Sequence, residues 1–269
     1  MKLSKQQPIG IFDSGLGGLT VAKAIHLSMP NEQLIYFGDT AHFPYGDKSR
    51  EAIIQYSTHI TDFLLEQKCK VIVIACNTAS ANAYDAILQR VKSKCQVLNV
   101  IDPVVDFIAG SGYNKIGVIG TKSTIDSGTY ADKIRARRKG IMVNSMATPL
   151  LAPMIEEGFI YDDISNAIIR NYLSRNEISD IETLILGCTH YPIISNQISR
   201  FYNFEIDIVE SGKIIAASLQ SLLSGSGILN DGKPAAGNKF YVSDYTRYFK
   251  LIAKMFFEEA IDLEKITLD

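Results

Sequence analysis

Short apolar runs alternate with longer amphipathic stretches along the whole chain, and this alternation limits the fold more than any other feature. Nine runs, at residues 9–12, 34–37, 71–75, 97–101, 116–119, 141–145, 183–186, 206–209 and 240–242, are bounded by Gly, Pro, Asn, Asp or Ser, and most are rich in Val and Ile. They read as strands. Helical patterns lie between them. The clearest spans 48–67, where Ile53, Tyr56, Ile60, Phe63 and Leu64 recur on one face. Met29-Pro30 and Tyr191-Pro192 mark boundaries, because a residue before proline is pushed out of the helical region. Strand–helix alternation predicts an α/β fold with mostly parallel sheets covered by helices. In such sheets a ligand site lies beyond the carboxyl ends of the strands.

A weak internal repeat refines this reading. Ile9-Gly10-Ile11-Phe12-Asp13-Ser14 resembles Ile116-Gly117-Val118-Ile119-Gly120-Thr121, at an offset of 107. Residues 71–78, ending Ala75-Cys76-Asn77-Thr78, resemble residues 182–189, ending Gly187-Cys188-Thr189, at an offset of 112. Two matches in the same order predict two similar α/β domains with the site in the cleft between them. The expected division is 1–100 plus 210–269 for the first and 101–209 for the second, and 269 residues suffice for both. The Gly-rich polar stretch Gly225 to Gly237 reads as a surface loop.

Composition narrows the function. Lys plus Arg is 27 and Asp plus Glu is 29, a net charge of -2. No polyanion-binding surface is implied, so nucleic acid is a poor default partner. The apolar run from Val71 to Cys76 is far too short to span a bilayer, and residues 1–7 offer no apolar segment for a signal peptide. Four cysteines, at 69, 76, 95 and 188, include no C-x-x-C pair. The expectation is a soluble, cytoplasmic protein with free thiols and no membrane partner.

Two of these thiols stand out. Cys76 and Cys188 each end an apolar strand and open a polar segment, Asn77-Thr78-Ala79-Ser80 and Thr189-His190-Tyr191-Pro192. Amides at a helix N-terminus favour a thiolate, and the Asn and Thr side chains supply donors for a carboxylate. A free cysteine is more often a small buried hydrophobe, which is how Cys69 and Cys95 read. A matched pair within a repeat favours catalysis. Asp13-Ser14-Gly15-Leu16-Gly17-Gly18 follows the first strand; its glycines permit close backbone approach, and Ser14 can cap the next helix. Asp13 reads equally well as a cap. A dinucleotide fingerprint fails, because its third glycine position holds Thr20, and no G-K-[ST] follows. Asp39 to Gly46 reads as a turn at the same rim. The histidines, at 26, 42, 59 and 190, form no tight metal-ligand set, although His190 adjoins Cys188. By spacing alone Glu156 is a solvated carboxylate at a helix end.

Asp13-Ser14-Gly-x-Gly-Gly, Gly38-Asp39-Thr40 with Pro44-Tyr45-Gly46, Ala75-Cys76-Asn77-Thr78-Ala79-Ser80, and Gly187-Cys188-Thr189-His190-Tyr191-Pro192 together resemble glutamate racemase, in the right order and over nearly the whole chain. His42 departs from the family, where many members have Arg. The resemblance implies interconversion of L- and D-glutamate without pyridoxal phosphate, metal or other cofactor, with D-glutamate feeding peptidoglycan synthesis. It implies a homodimer. By resemblance, Cys76 and Cys188 are acid/base thiols on opposite faces of the substrate, Cys76 serving D-glutamate and Cys188 L-glutamate. Asp13 would assist Cys76, while His190 and Glu156 would assist Cys188. Asp13, Ser14, Tyr45, Gly46, Asn77, Thr78, Thr121, Thr124, Thr189 and His190 would hold the substrate. Two opposed groups, one thiolate and one thiol, suit a reaction that removes a proton on one face and delivers one on the other. Two rivals stay open: another amino-acid or hydantoin racemase of the same superfamily, and a two-lobed binding or regulatory protein with inert cysteines.

Overall fold

Strand β1 (Ile9–Asp13) opens the chain's first helix-covered sheet. Ile9 and Ile11 point into one core and Phe12 into another. Residues of the two following strands divide in the same way. Leu34, Tyr36, Val71 and Val73 face the first core, while Ile35, Phe37, Ile72 and Ile74 face the second. Apolar runs buried on both sides at period two are what an interior parallel sheet requires. In chain order come α1 (Leu19–Ser28), β2 (Leu34–Gly38), α2 (Arg50–Glu66), β3 (Val71–Ile74), α3 (Asn77–Asn82), α4 (Tyr84–Val91) and β4 (Gln96–Asn99). Next are α5 (Ile101–Ala109), β5 (Lys115–Gly120), α6 (Lys122–Asp126), α7 (Thr129–Arg137), β6 (Met142–Ala147), α8 (Leu151–Glu156), α9 (Asp163–Leu173), β7 (Thr183–Gly187), α10 (Ser195–Phe201) and β8 (Asp207–Val209). The chain closes with α11 (Ser211–Gly225), β9 (Lys239–Val242), α12 (Arg247–Phe257) and β10 (Leu263–Lys265). This computed structural model describes residues 3–232 and 237–268.

The strands form two sheets, β10-β9-β2-β1-β3-β4 and β6-β5-β7-β8, and every pairing in them is parallel. The order β2-β1-β3-β4 in the first matches β6-β5-β7-β8 in the second. The repeated segments are therefore the neighbouring strands β1 and β3 in one sheet and β5 and β7 in the other. The expected α/β architecture is present. A single apolar core runs from the first sheet into the second, including Ile9, Ile11, Ile116 and Val118.

Local chemistry moved several boundaries. The helix expected at 48–67 begins at Arg50, because the Ser49 hydroxyl accepts from the Ala52 N–H at 3.2 Å and caps it. The strand expected at 97–101 stops at Asn99, whose side-chain oxygen accepts from the N–H groups of Ile101 and Asp102, both at 2.9 Å, and starts α5. Met29 caps the end of α1, whereas Tyr191-Pro192 opens a short 3-10 helix, Tyr191–Ile194. Ser14 does not cap α1, whose N-cap is Gly18. The expected surface loop is partly interior. Lys70 and Glu32 form a buried ion pair at 2.6 Å; Lys70 also donates to the Ile228 carbonyl at 2.9 Å, and the Asn230 N–H donates to Glu32 at 2.8 Å. Buried charges need such partners, which draws 228–230 inward. Residues 233–236 of that loop lie outside the described residues. No helix among the described residues is long and apolar enough to cross a membrane.

Candidate active site

The carboxyl ends of β1, β3, β5 and β7 meet at one small cavity. Its lining from the first half is Ser14, Phe43, Pro44, Tyr45, Gly46, Cys76, Asn77 and Thr78; the second half supplies Thr121, Ala152, Gly187, Cys188, Thr189 and His190. Repeat-related positions therefore line it in two pairs: Ser14 with Thr121, and Cys76 with Cys188. Both thiols are buried, 4% and 7% exposed, so neither reacts with solvent from the surface.

The two thiols have different company. Sγ of Cys188 lies 3.6 Å from Nδ1 of His190, and Nε2 of His190 lies 2.7 Å from Oε1 of Glu156. Burial alone would lower the proton affinity of His190, but the Cys188 sulfur and the Glu156 carboxylate outweigh it and raise the pKa well above the ordinary value. A ring protonated on both nitrogens donates to both neighbours. Phe43 and Phe256 confine it, with ring centroids at 5.5 and 5.3 Å. Glu156 ends α8 and is largely buried, which corrects its reading as a solvated carboxylate.

Cys76 is the N-cap of α3, and its sulfur accepts from the Ala79 N–H at 3.4 Å. That amide and the Ser14 hydroxyl favour the thiolate. Burial and the nearby Asp13 carboxylate prevail, and the thiol is pushed up to about 12. The expected helix-terminus activation is therefore outweighed at Cys76, whereas after Cys188 the short 3-10 helix begins only at Tyr191. Asp13 is itself buried, and burial raises its pKa although the His190 charge and the amides of Gly18 and Gly15 oppose the rise. It accepts from the Gly15 N–H at 3.1 Å and from the Thr189 hydroxyl at 3.2 Å. It does not line the cavity.

Other expected residues sort by depth. The hydroxyls of Thr78, Thr121 and Thr124 form a triangle with edges of 2.9, 3.1 and 3.0 Å. Thr124, at 1% exposure, stands behind the other two and does not line the cavity. Sequence reasoning passed over Asp39 as a site residue. This buried carboxylate accepts from the Tyr45 hydroxyl at 2.6 Å, from Ser243 at 2.7 Å and from His42 Nδ1 at 2.9 Å, and so fixes the loop that carries Tyr45 and Gly46. It also passed over Tyr130, whose hydroxyl donates to Oδ1 of Asn77 at 2.7 Å. Asp39 was signalled by its place after a strand and by the Gly38-Asp39-Thr40 motif; for Tyr130 there was no signal. Among the described residues, no group of three or more His, Cys, Asp and Glu side chains is placed to hold a metal ion.

The glycine loop after β1 approaches the other half of the molecule. A Cβ on Gly17 would lie 2.5 Å from Nδ1 and Cε1 of His190 and 2.6 Å from Oγ1 of Thr189. If His190 takes part in chemistry at this cavity, Gly17→Ala should displace the ring and lower kcat/KM about 100-fold, since misplacing a reacting group by an ångström costs that much. Steady-state kinetics beside a circular-dichroism check of folding measure it. A folded alanine enzyme with wild-type kinetics would mean that the ring's position does not matter.

A family model described as Asp/Glu/Hydantoin racemase matches residues 19–219. A glutamate racemase of Chlorobium phaeobacteroides is 40% identical over 268 residues, covering 99% of this chain and 97% of that protein. Among solved structures, glutamate racemase from Francisella tularensis in complex with D-glutamate superposes with a TM-score of 0.92 at 39% identity, covering 98% of this chain and 99% of that one. A glutamate racemase isoform from Bacillus anthracis gives a TM-score of 0.92 at 34% identity, with 98% of each chain covered. Full-length agreement in sequence and fold leads to one conclusion: the chain belongs to the Asp/Glu/Hydantoin racemase family and, within it, to the glutamate racemases.

Proposed function

We propose that this enzyme interconverts L- and D-glutamate by two-base proton transfer at Cα, with Cys76 and Cys188 as the two bases. The observation that carries the reading is the pair of thiols at matched strand ends, facing one cavity from opposite halves. An amino-acid α-proton is weakly acidic, and racemisation must exchange it between opposite faces. A thiolate on one face removes it while a thiol on the other delivers its own, and the return reaction swaps their states. The charge pattern suits L-glutamate first. Cys76 is held as the thiol, and the charged His190 is the partner that a thiolate at Cys188 would take. For D-glutamate the proton must leave Cys76. Asp13, with its proton affinity raised by burial, is the nearby acceptor, and this supports its role as assistant to that thiol.

Ser14, Asn77, Thr78, Thr121 and Thr189, with the loop at Tyr45 and Gly46, would hold the two carboxylates and the amine. Their buried donors would stabilise charge that develops during proton removal. Asp13 and Thr124 act on the substrate indirectly in this reading. The domains are 1–100 plus 210–269 and 101–209, the enzyme works as a cytoplasmic homodimer, and its D-glutamate supplies peptidoglycan synthesis. The test is the decay of the circular-dichroism signal of pure L- and of pure D-glutamate, without added cofactor. Both should decay to zero. Decay with aspartate or a hydantoin but not with glutamate would assign another substrate, and no decay with any would favour a binding protein.

A further inference from the structure

Asn77 opens α3 beside Cys76, is 2% exposed and lines the cavity. The two ends of its carboxamide have different fates. The oxygen accepts from the hydroxyl of Tyr130 at 2.7 Å, a buried side chain on α7 in the other half of the molecule. The nitrogen Nδ2 is buried and has no hydrogen-bond partner. An unpaired buried donor is costly, and its need is met by an acceptor that arrives with a ligand.

A carboxamide is nearly symmetric in shape, and rotation by half a turn would exchange donor for acceptor. Facing a carboxylate, the donor end attracts and the acceptor end repels. We propose that Tyr130 is a positioning residue: by holding Oδ1 of Asn77, it keeps the Nδ2 donor turned towards a carboxylate of the amino-acid substrate. This rests on the reading of the cavity as the glutamate site. Phenylalanine at 130 would leave the ring in place and free the carboxamide to turn.

The experiment compares kcat and KM for glutamate in the wild type, Tyr130→Phe, Asn77→Ala and the double variant, each checked for folding by thermal denaturation. Tyr130→Met, also without a donor, replaces the phenylalanine variant if that protein does not fold. Tyr130→Phe should raise KM about tenfold, with a smaller change in kcat. In the Asn77→Ala background the same change should alter KM less than about twofold, because the group it positions is gone. An unchanged KM in Tyr130→Phe or in Asn77→Ala overturns the proposal. So does an equal fold-change in both backgrounds, which would mean that Tyr130 acts on something else, such as Cys188. Failure of the glutamate reading is separate and shows in the wild type, which would then not racemise glutamate.

Discussion

Cys76→Ser and Cys188→Ser should each lower kcat for glutamate racemisation by about 1000-fold or more, while the protein stays folded. Serine nearly keeps the volume of cysteine, and both positions are buried, so packing changes little. What is lost is acidity. A serine hydroxyl neither gives nor takes a proton readily near neutral pH, and a thiol is far more acidic than that hydroxyl. One surviving thiol does not suffice, because each turnover needs a proton removed on one face and another delivered on the opposite face. The decay of the circular-dichroism signal of L- or D-glutamate reads the loss, and thermal denaturation checks the fold. Either variant racemising at the wild-type rate would remove that thiol from the chemistry.

His190→Asn should lower kcat about 100-fold. The imidazole joins Sγ of Cys188, at 3.6 Å, to the Glu156 carboxylate, at 2.7 Å, and asparagine carries no charge to offer the sulfur. In kcat/KM the loss must be equal for the two enantiomers. They have equal free energies, so the equilibrium constant of racemisation is unity whatever the mutation does. Stability should change with pH in a direction that follows from the same contacts. The folded protein holds the His190 proton more tightly than the unfolded chain does. The stability this lends is fully present below the ordinary histidine value of 6.5 and is lost as pH rises through the raised one. Urea denaturation of the wild type and His190→Asn across that range should show their difference shrinking as pH rises. A difference that grows instead would mean that the ring is buried neutral.

Much of this could be read from the chain because its strands are buried on both faces. Val71 to Ile74 and Leu184 to Leu186 are apolar throughout, and that pattern survives in a one-dimensional string. The repeat showed Cys76 and Cys188 as a pair for the same reason. The strand ends are equivalent, so the residues just beyond them meet at one cavity. What the string hid was contact made at a distance. Glu156 reads as solvated until α8 is packed against His190. Tyr130 lies on a helix whose own pattern gives no sign that it reaches Asn77. The glycines after β1 looked like a seat for a ligand, and the string did not show that Gly15 and Gly17 also lie against Glu156 and His190 of the other half. Strand β10 was missed because Leu263-Glu264-Lys265 is a short, polar edge strand, without the apolar run that marks an interior one.

The most direct test of the opposed thiols removes the need for a second base. A glutamate analogue that carries a leaving group on nitrogen eliminates it after α-proton removal, forming an imine, so one base suffices and no proton is returned to carbon. Elimination is one-way, so the equality that binds racemisation does not apply, and each face can be read alone. Cys76→Ser should retain elimination with the L-analogue, whose proton faces Cys188, and lose it with the D-analogue. Cys188→Ser should do the reverse. Exchange of the two patterns would reverse the assigned handedness and leave the opposed pair intact. Loss of both enantiomers in both folded variants, or retention of both in either, would contradict the claim that each thiol is the base for one face of the substrate.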